Sequence, residues 1–319
     1  MANVLILMGT FNGARYIREQ IASIQAQTLS DWTLLVRDDG SSDNTVEIIE
    51  ELARADDRIV LCRDDLGNLG VTANFGRLMQ LARERTEPWI AFADQDDVWL
   101  PEKLALSLAA LPASAGAEPV LLHTDLQVVD AGLQLLHPSF LAYQHLRHVD
   151  AEPLNTLLVH NFVTGCTMVM NRALLDVATP VPPEAVLHDR WLAACAATWG
   201  RLLFLPQATL KYRQHGGNVR GAVGVLRYLK PAALLRKLGH TRSELRACFA
   251  QANALLQREQ SRPSAHHAVL AGFNAIFTLP RFSPRRLGLL RRLGVSTHKP
   301  LKNLLLWWEV LRAPVKAAE

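Results

Sequence analysis

The sequence predicts an α/β protein with a mostly parallel sheet flanked by helices, followed by a C-terminal helical appendage. Short β-branched runs alternate with helically spaced apolar residues over the first hundred residues, a pattern typical of βαβ units. Polar residues come directly after several of these runs. From about residue 220 the chain changes to basic, helix-like segments punctuated by prolines, which predicts a separate region there.

The elements of the first hundred residues follow from the spacing of the apolar residues. This spacing predicts strands at 4–8, 33–37, 59–63 and 89–93, and helices at 15–26, 44–55 and 71–82. Asp43 is the expected N-cap of the second helix, because a short carboxylate there can accept a free backbone N–H. Further along, we expect a glycine turn entering a strand within 160–172 and another strand at 202–205.

The charge of the chain is divided unevenly along its length. The 319 residues are 49% hydrophobic, enough for a sizeable core, and their net charge is +4. Residues 1–219 carry 16 Lys and Arg against 26 Asp and Glu, whereas residues 220–319 carry 18 against 4. We therefore expect one domain over 1–219 and a basic helical region over 220–319 that meets an anionic surface, either phospholipid or nucleic acid.

The cysteines and the apolar runs bear on the cellular compartment. Cys62, Cys166, Cys195 and Cys248 are too far apart for a zinc motif or a disulfide framework, which favours a reducing cytoplasm. The N-terminal apolar run lacks the basic flank and the length of a signal peptide. No stretch approaches the roughly 20 apolar residues that a spanning helix needs.

An acidic loop follows the fourth predicted strand. Asp94, Asp96 and Asp97 place three carboxylates within four residues, and they would repel one another unless a cation neutralised them. Hard divalent ions such as Mg²⁺ or Mn²⁺ bind carboxylate oxygens together with substrate phosphates. A solvated loop that starts a helix at Pro101 is the alternative interpretation.

Other polar residues follow the first and second strands. Thr10 and Asn12 come after the first, and Asp38 and Asp39 after the second. Ligands of parallel sheets bind at the carboxyl ends of the strands, so these side chains and the acidic loop are expected to share one site.

Four segments in this order resemble the family 2 inverting glycosyltransferases of the GT-A fold. They are Met8-Gly9-Thr10-Phe11-Asn12, Asp38-Asp39-Gly40-Ser41, Asn68-Leu69-Gly70 through Asn74-Phe75-Gly76, and Asp94-Gln95-Asp96-Asp97. The resemblance implies a nucleotide-binding half over 1–110 and an acceptor half over 111–219. It also implies donor contacts from the following residues: Thr10, Phe11, Asn12, Asp39, Asn74 and Asp94. Asp96 is the implied metal ligand.

The same resemblance assigns roles in the acceptor half. Thr164 and Gly165 would lie beside the acceptor, and Asp189 would be the base that takes the proton of the acceptor hydroxyl. His188 and Trp191 are expected at the acceptor. Because His188 stands where the family more often has an acidic residue, tuning of Asp189 and simple packing are its alternative roles. An N-cap role for Asp189 is the structural alternative.

Tyr212-Arg213-Gln214-His215 suits a loop that closes over a diphosphate. The resemblance implies His215 as a contact to the metal or the phosphates, and Arg213 as a weaker donor contact.

The resemblance is strongest to the rhamnosyltransferase-like branch that builds bacterial surface polysaccharides, which implies a dTDP-rhamnose donor and a saccharide acceptor linked to a polyprenyl lipid. Another UDP- or dTDP-sugar, or a non-catalytic nucleotide-sugar binder, is the alternative. A dinucleotide oxidoreductase is disfavoured, because residues 9–14 do not form GxGxxG.

The basic C-terminal region predicts contact with a membrane. Within 285–316, eight Lys and Arg residues are interspersed with leucines and with Trp307 and Trp308. Basic amphipathic helices with boundary tryptophans lie in the plane of an anionic membrane, here the inner face, where a lipid-linked acceptor would be presented. A helical cap packed on the catalytic domain is the alternative, and no nucleic-acid-binding motif accompanies the charge.

Overall fold

The computed structural model describes residues 3–112, 116–216 and 231–315, with side chains throughout except at 231–242. Within these ranges a single nine-stranded sheet forms the centre of the molecule, in the order β3-β2-β1-β4-β8-β6-β9-β5, with β7 paired to β6. The strands are β1 Val4–Thr10, β2 Trp32–Asp38, β3 Ile59–Cys62, β4 Trp89–Ala93, β5 Val98–Trp99, β6 Val120–Val129, β7 Leu135–His137, β8 Val169–Asn171 and β9 Arg201–Arg213.

The N-terminal half of the sheet is parallel, as the alternating pattern predicts. β1 lies between β2 and β4, and β3 pairs with the outer side of β2. The register brings Thr10 beside Asp38, so the ends of β1 and β2 reach the same edge. The predicted α/β fold is confirmed, and its polar strand ends converge.

The second half of the sheet is mixed. β8 runs antiparallel to both β4 and β6, whereas β9 runs parallel to β6 and antiparallel to the short β5. The sequence predicts a four-residue strand at 202–205 followed by a connector; the structure instead has one thirteen-residue strand, β9. Pairing with the long β6 continues through this segment despite register shifts near Thr124 and Asp125.

Helices cover both faces of the sheet. They are α1 Ile17–Gln25, α2 Thr45–Ala55, α3 Val71–Ala82, α4 Lys103–Ala110, α5 Phe140–Tyr143, α6 Pro153–Leu157, α7 Arg172–Ala178, α8 His188–Trp199, α9 Pro231–Glu259, α10 His267–Ile276, α11 Pro284–Arg292 and α12 Pro300–Arg312. Alternate residues of β1 enter different cores: Ile6 packs with α1 and α2, and Leu7 packs with α3 and α8. Burial on both faces explains why the strands read as continuous apolar runs.

The second helix starts one residue later than predicted. Asn44 is the N-cap of α2 and makes no side-chain capping bond, so the assignment of Asp43 as N-cap is wrong. The Asp43 carboxylate nevertheless accepts the backbone N–H groups of Thr45 and Ala14. It therefore holds the start of α2 against the loop that follows β1.

The C-terminal helices pack on the α/β part of the chain. Leu290, Leu306 and Val310 are buried in the same core as Leu154 and Leu192. The helical-cap interpretation thus describes the buried faces of these helices, while the predicted boundary at 219/220 lies outside the described residues. In the part of the chain that the structure describes, no helix has the length and apolarity to cross a bilayer.

Candidate active site

A cleft of about 420 Å³ opens at the carboxyl ends of β1, β2 and β4. Residues from the first half of the sheet, from 160–165, from the start of α8 and from α12 surround it. It is lined by Gly9, Thr10, Phe11, Asp39, Val71, Asn74, Phe75, Asp94, Gln95, Asp96, Phe140, Gln144, Leu146, His160, Asn161, Phe162, Val163, Thr164, Gly165, Leu187, His188, Asp189, Tyr212, Lys299 and Lys302. Asp94 and Asp96 of the acidic loop and the expected base Asp189 therefore line one cavity.

Asp38 organises the turn after β2. Its Oδ1 accepts the Thr10 hydroxyl at 2.9 Å, and its Oδ2 accepts the backbone N–H of Gly40 at 3.0 Å and of Ser41 at 2.7 Å. Gly40 has a φ of 85°, a left-handed conformation that favours glycine. This carboxylate fixes the turn that carries the next residue, Asp39.

Asp39 lies in the cleft wall with its carboxylate held from behind. It is 4% exposed and pairs with Arg37 at 2.9 Å. Its oxygens also accept the backbone N–H groups of Leu69 and Gly70, both at 2.8 Å. Arg37 in turn donates to the Asn74 side-chain oxygen at 2.8 Å, so the predicted donor residues Asp39 and Asn74 belong to one buried network.

The loop after β1 is fixed from two sides. The Gln95 side-chain amide exchanges two hydrogen bonds with the backbone of Phe11, both 2.9 Å, and Phe11 itself is half exposed in the cleft. Asn12 does not line the cleft: its Oδ1 accepts the Ser42 N–H, and its own N–H donates to the Ser41 hydroxyl. Asn12 thus joins the two loops, and its expected donor contact stays a prediction.

The acidic loop concentrates negative charge at the cleft. Burial, followed by the neighbouring charges of Asp96 and Asp189, raises the pKa of Asp94 to about 7. Asp96 Oδ2 lies 2.7 Å from His215 Nε2. Asp94 and Asp96 line the cleft, and His215 stands behind Asp96, so the structure brings together the two residues expected to bind a metal.

A second group of polar side chains lies beneath this loop. Asp94, Asp97 and Cys166 offer ligand atoms within 4.8 Å of one another. Burial and nearby carboxylates raise the pKa of the Cys166 thiol well above its usual range, so it is a poor ligand for a hard ion. Lys103, fully buried below the loop, faces Asp97 and Cys166, and burial lowers its pKa to about 8.

Asp94 and Asp96 fit a divalent cation on the cleft side of the loop. Both line the cleft, and the mutual repulsion of Asp94, Asp96 and Asp189 would be relieved by positive charge. Carboxylate oxygens suit Mg²⁺ or Mn²⁺.

Arg213 supports the acidic loop instead of facing the donor. It is 2% exposed, and its guanidinium donates to the backbone oxygens of Asp96 and Ala131 and to the Glu19 carboxylate. The side chain is therefore committed to carbonyls behind the loop, and we correct its assignment as a donor contact.

Asp189 lies in the first turn of α8 and lines the cleft. The helix begins at His188 after Leu187, and the N-terminal residue makes no side-chain capping bond, so Asp189 is not the N-cap. Negative charge in a first turn is stabilised by the helix dipole. The position puts a carboxylate beside Thr164 and Gly165, both of which line the cleft.

His188 is a buried, neutral side chain in the cleft wall. It is 5% exposed and stacks on Phe75 with ring centroids 4.0 Å apart. Burial lowers its pKa to about 3, and neither ring nitrogen has a partner among the described residues. A Cβ on Gly165 would lie 2.8 Å from His188 Nε2, so the glycine makes room for the ring.

Trp191 is a core residue. It is 0% exposed, its indole N–H donates to the Ala178 carbonyl at 2.8 Å, and the Arg258 guanidinium lies over its ring. α8 is buried on nearly every side, and the Trp191 side chain lies in the core and not in the cleft. The expected acceptor contact at Trp191 is therefore corrected.

Lys299 and Lys302 reach the cleft from α12 and its N-cap. Sequence reasoning missed them as site residues, since it assigned the whole basic region to a membrane surface. The two lysines are far along the chain from the other site residues, so no local sequence pattern indicates that they line the same cleft.

The fold and the cleft define a GT-A-like protein. The chain is similar to S. aureus TarS 1–349 in complex with UDP-GlcNAc (TM-score 0.54, 15% identity, 97% of this chain and 88% of that one). It is also similar to the mannosyltransferase PcManGT from Pyrobaculum calidifontis in complex with GDP-Man and Mn²⁺ (TM-score 0.53, 16% identity, 95% and 87%). At such identities the likeness concerns the fold.

The chain belongs to glycosyl transferase family 2, whose family model matches residues 5–176. Among its relatives is the dTDP-rhamnosyl transferase RfbG of Shigella flexneri, 27% identical over 67% of this chain and 74% of that protein. Another is the UDP-Glc:alpha-D-GlcNAc-diphosphoundecaprenol beta-1,3-glucosyltransferase WfgD of Escherichia coli, 28% identical over 54% of this chain and 62% of that protein, less than two thirds of its length.

Proposed function

We propose that this protein is an inverting glycosyltransferase that moves a sugar from a nucleotide diphosphate to an acceptor hydroxyl. One observation carries the proposal: Asp189 and the acidic loop of Asp94 and Asp96 open into the same cleft, close enough for the Asp189 charge to raise the pKa of Asp94. A direct displacement requires a base and a diphosphate site that open into the same cleft.

The donor is held by the loops at the ends of β1, β2 and β4. Thr10, Phe11, Asp39 and Asn74 form the wall for the nucleotide, and their networks fix this wall before a ligand arrives. Asp94 stands between that wall and the acceptor side. Such preorganisation lowers the ordering cost of binding.

Transfer takes place in one displacement. Asp189 accepts the proton of the acceptor hydroxyl while the hydroxyl oxygen attacks the anomeric carbon of the donor sugar. The bond from that carbon to the diphosphate oxygen breaks, and its electron pair leaves with the nucleotide diphosphate. Thr164, Gly165 and neutral His188 position the acceptor beside Asp189. A divalent ion on Asp96, with His215 behind it, would supply Lewis-acid stabilisation of the departing diphosphate.

For the donor we propose dTDP-rhamnose, and for the setting the synthesis of surface polysaccharide on the inner face of the membrane. The relative RfbG, a dTDP-rhamnosyl transferase, supports this donor. The relative WfgD, which acts on a diphosphoundecaprenol-linked saccharide, supports a polyprenyl-linked acceptor. Another UDP- or dTDP-sugar is the competing donor.

A panel of nucleotide sugars, each with Mn²⁺ or Mg²⁺, tests the proposal by thermal shift and then by release of the nucleotide diphosphate. We expect one donor to stabilise the protein only with metal and to turn over with an acceptor. Stabilisation without turnover on any acceptor would favour the non-catalytic binder, and the absence of metal-dependent stabilisation would refute both.

A further inference from the structure

The two ends of the cleft carry opposite charge. Among the described residues, its carboxylates are Asp39, Asp94, Asp96 and Asp189, from the strand ends and α8, whereas its ammonium groups are Lys299 and Lys302 from the C-terminal region. The charges that act on Asp94 are those of Asp96 and Asp189. His160 packs against His298, the residue before Lys299, whereas Gly165 lies beside Asp189, so the basic and acidic groups lie at opposite ends of the segment 160–165.

Several positively charged side chains lie near the basic end. Burial lowers the pKa of His160 to about 3, and the charges of Lys302, Arg190 and Lys299 lower it further. Burial also lowers the pKa of the neighbouring His298, with Arg147 and Lys299 adding to the effect. Four cationic side chains thus act on two neutral histidines, which favours an anion at this end.

A buried histidine nitrogen and a helix N-terminus lie at this end. His160 Nε2 is buried without a hydrogen-bond partner among the described residues, and His160 lines the cleft beside Asn161. The N-terminus of α12, a thirteen-residue helix, begins at Pro300 between the two lysines. Backbone N–H groups at a helix start and lysine ammonium groups together suit a phosphate.

We propose that the C-terminal region completes the acceptor site by binding a phosphate group carried by the acceptor, with Lys299 and Lys302 as its principal contacts. This inference rests on the proposed function and names the class of acceptor, one whose sugar is joined to a phosphate or diphosphate. The phosphate lies at the basic end, so the hydroxyl at the other end of the acceptor can reach Asp189. A lipid diphosphate and a phosphodiester polymer share this chemistry.

The test uses the full chain and inorganic pyrophosphate in EDTA, which removes metal-dependent binding at the acidic loop. By calorimetry we expect pyrophosphate to bind the wild type, and the double variant Lys299→Ala/Lys302→Ala to bind at least about tenfold more weakly, because two charge-assisted contacts are lost. The matched control Arg285→Ala/Arg292→Ala, which removes two exposed charges of α11, should bind like the wild type. Lys299→Arg/Lys302→Arg should keep binding.

Two further ligands identify the source of the phosphate. A farnesyl diphosphate and a glycerol phosphodiester oligomer are titrated in the same way, and the one whose affinity depends on the two lysines is the class that the site accepts. Equal pyrophosphate affinity in the lysine variant and the wild type, or no binding to either, would overturn the inference. Metal-dependent nucleotide binding is measured in parallel. If it is intact while the pyrophosphate test fails, only this inference is overturned. If it is absent while pyrophosphate binds as expected, only the proposed function is overturned.

Discussion

Asp189 and His188 are adjacent in sequence and have different environments. Asp189 lies partly exposed in the cleft at the start of α8, where the helix dipole places partial positive charge. His188 is buried against Phe75 and stays neutral. The pair offers a proton acceptor beside an uncharged hydrogen-bonding ring, which suits the recognition of a neutral sugar hydroxyl.

Replacing the proposed base tests its role at the residue scale. We expect Asp189→Asn to keep metal-dependent donor binding and to lower kcat by roughly 10²–10⁴-fold, the range of a general base. Donor affinity by calorimetry and turnover by nucleotide release separate the two effects. Glu184→Gln, an exposed carboxylate outside the cleft, is the control. Turnover at the wild-type rate in Asp189→Asn would remove this residue from the mechanism.

The site residues show what a local pattern can and cannot predict. Thr10, Asp39 and Asp96 were predictable because parallel strands end at one edge, so their position follows from topology. Trp191 was not, because α8 is apolar on most of its surface and its periodicity does not tell which side faces the cleft.

At the scale of elements, boundaries were predicted best where apolar spacing was uninterrupted. α3 spans Val71–Ala82 and β4 spans Trp89–Ala93, as the sequence predicts. β9 was predicted too short, since Pro206 and Gln207 interrupt its apolar run while pairing with β6 carries the strand past them. Tertiary pairing overrode local propensity there.

Arg286 joins the C-terminal helices. It is 0% exposed, and its guanidinium donates to the carbonyls of Leu279, Val310 and Ala313. We expect Arg286→Met to lower the free energy of unfolding by about 2–4 kcal/mol, because buried carbonyls lose a charged donor. Urea denaturation measures the change. The neighbouring exposed Arg285→Met should change it by less than about 0.5 kcal/mol; equal effects would contradict this account.

One face of α12 bears on the proposed membrane contact. Leu301, Leu304 and Trp308 follow helical spacing and are 50–68% exposed, while Leu306 and Val310 on the other face are buried. An exposed apolar stripe on a basic helix suits an interfacial position. It adjoins Lys299 and Lys302, so a lipid-linked acceptor could enter the cleft from the bilayer surface.

Polar substitutions on this stripe test the contact in the full chain. We expect Leu304→Gln/Trp308→Gln to weaken flotation with phosphatidylglycerol vesicles by about tenfold or more, since each buried apolar side chain contributes about 1.5–3 kcal/mol. Leu135→Gln, an exposed apolar residue on β7, should float like the wild type. Unchanged flotation of the stripe variant would refute the membrane role.

At the scale of the whole molecule, the acidic and basic parts of the sequence both contribute side chains to one cleft. The acidic half supplies the strand ends, and the basic region supplies α12, whose buried residues belong to the same core as one face of the sheet. The sequence predicted both charges and both regions. It did not predict their meeting, because contact between residues more than a hundred positions apart depends on the packed fold.

Buried histidines couple the stability of the molecule to pH. Burial lowers the pKa values of His123, His160 and His188 to about 3, below the value of about 6.5 in an unfolded chain. The unfolded chain therefore binds more protons between these values, so stability is retained above pH 6.5 and falls as the pH drops toward 3.

A single substitution measures this coupling. We expect His123→Phe to reduce the slope of unfolding free energy against pH by about 1.4 kcal/mol per pH unit between pH 6 and 4.5, since one proton fewer is taken up on unfolding. Urea titrations at several pH values give the slope. His145→Asn, at an exposed histidine, should leave it unchanged. An unaltered slope in His123→Phe would contradict the burial argument.

The most direct test of the account is calorimetric titration of dTDP or UDP into the protein with and without Mn²⁺, in the wild type and in Asp96→Ala. We predict that metal strengthens nucleotide binding in the wild type and that Asp96→Ala removes this gain while its melting temperature stays close to that of the wild type. Nucleotide binding that is equally strong with and without metal, or a metal effect that survives in Asp96→Ala, would contradict it.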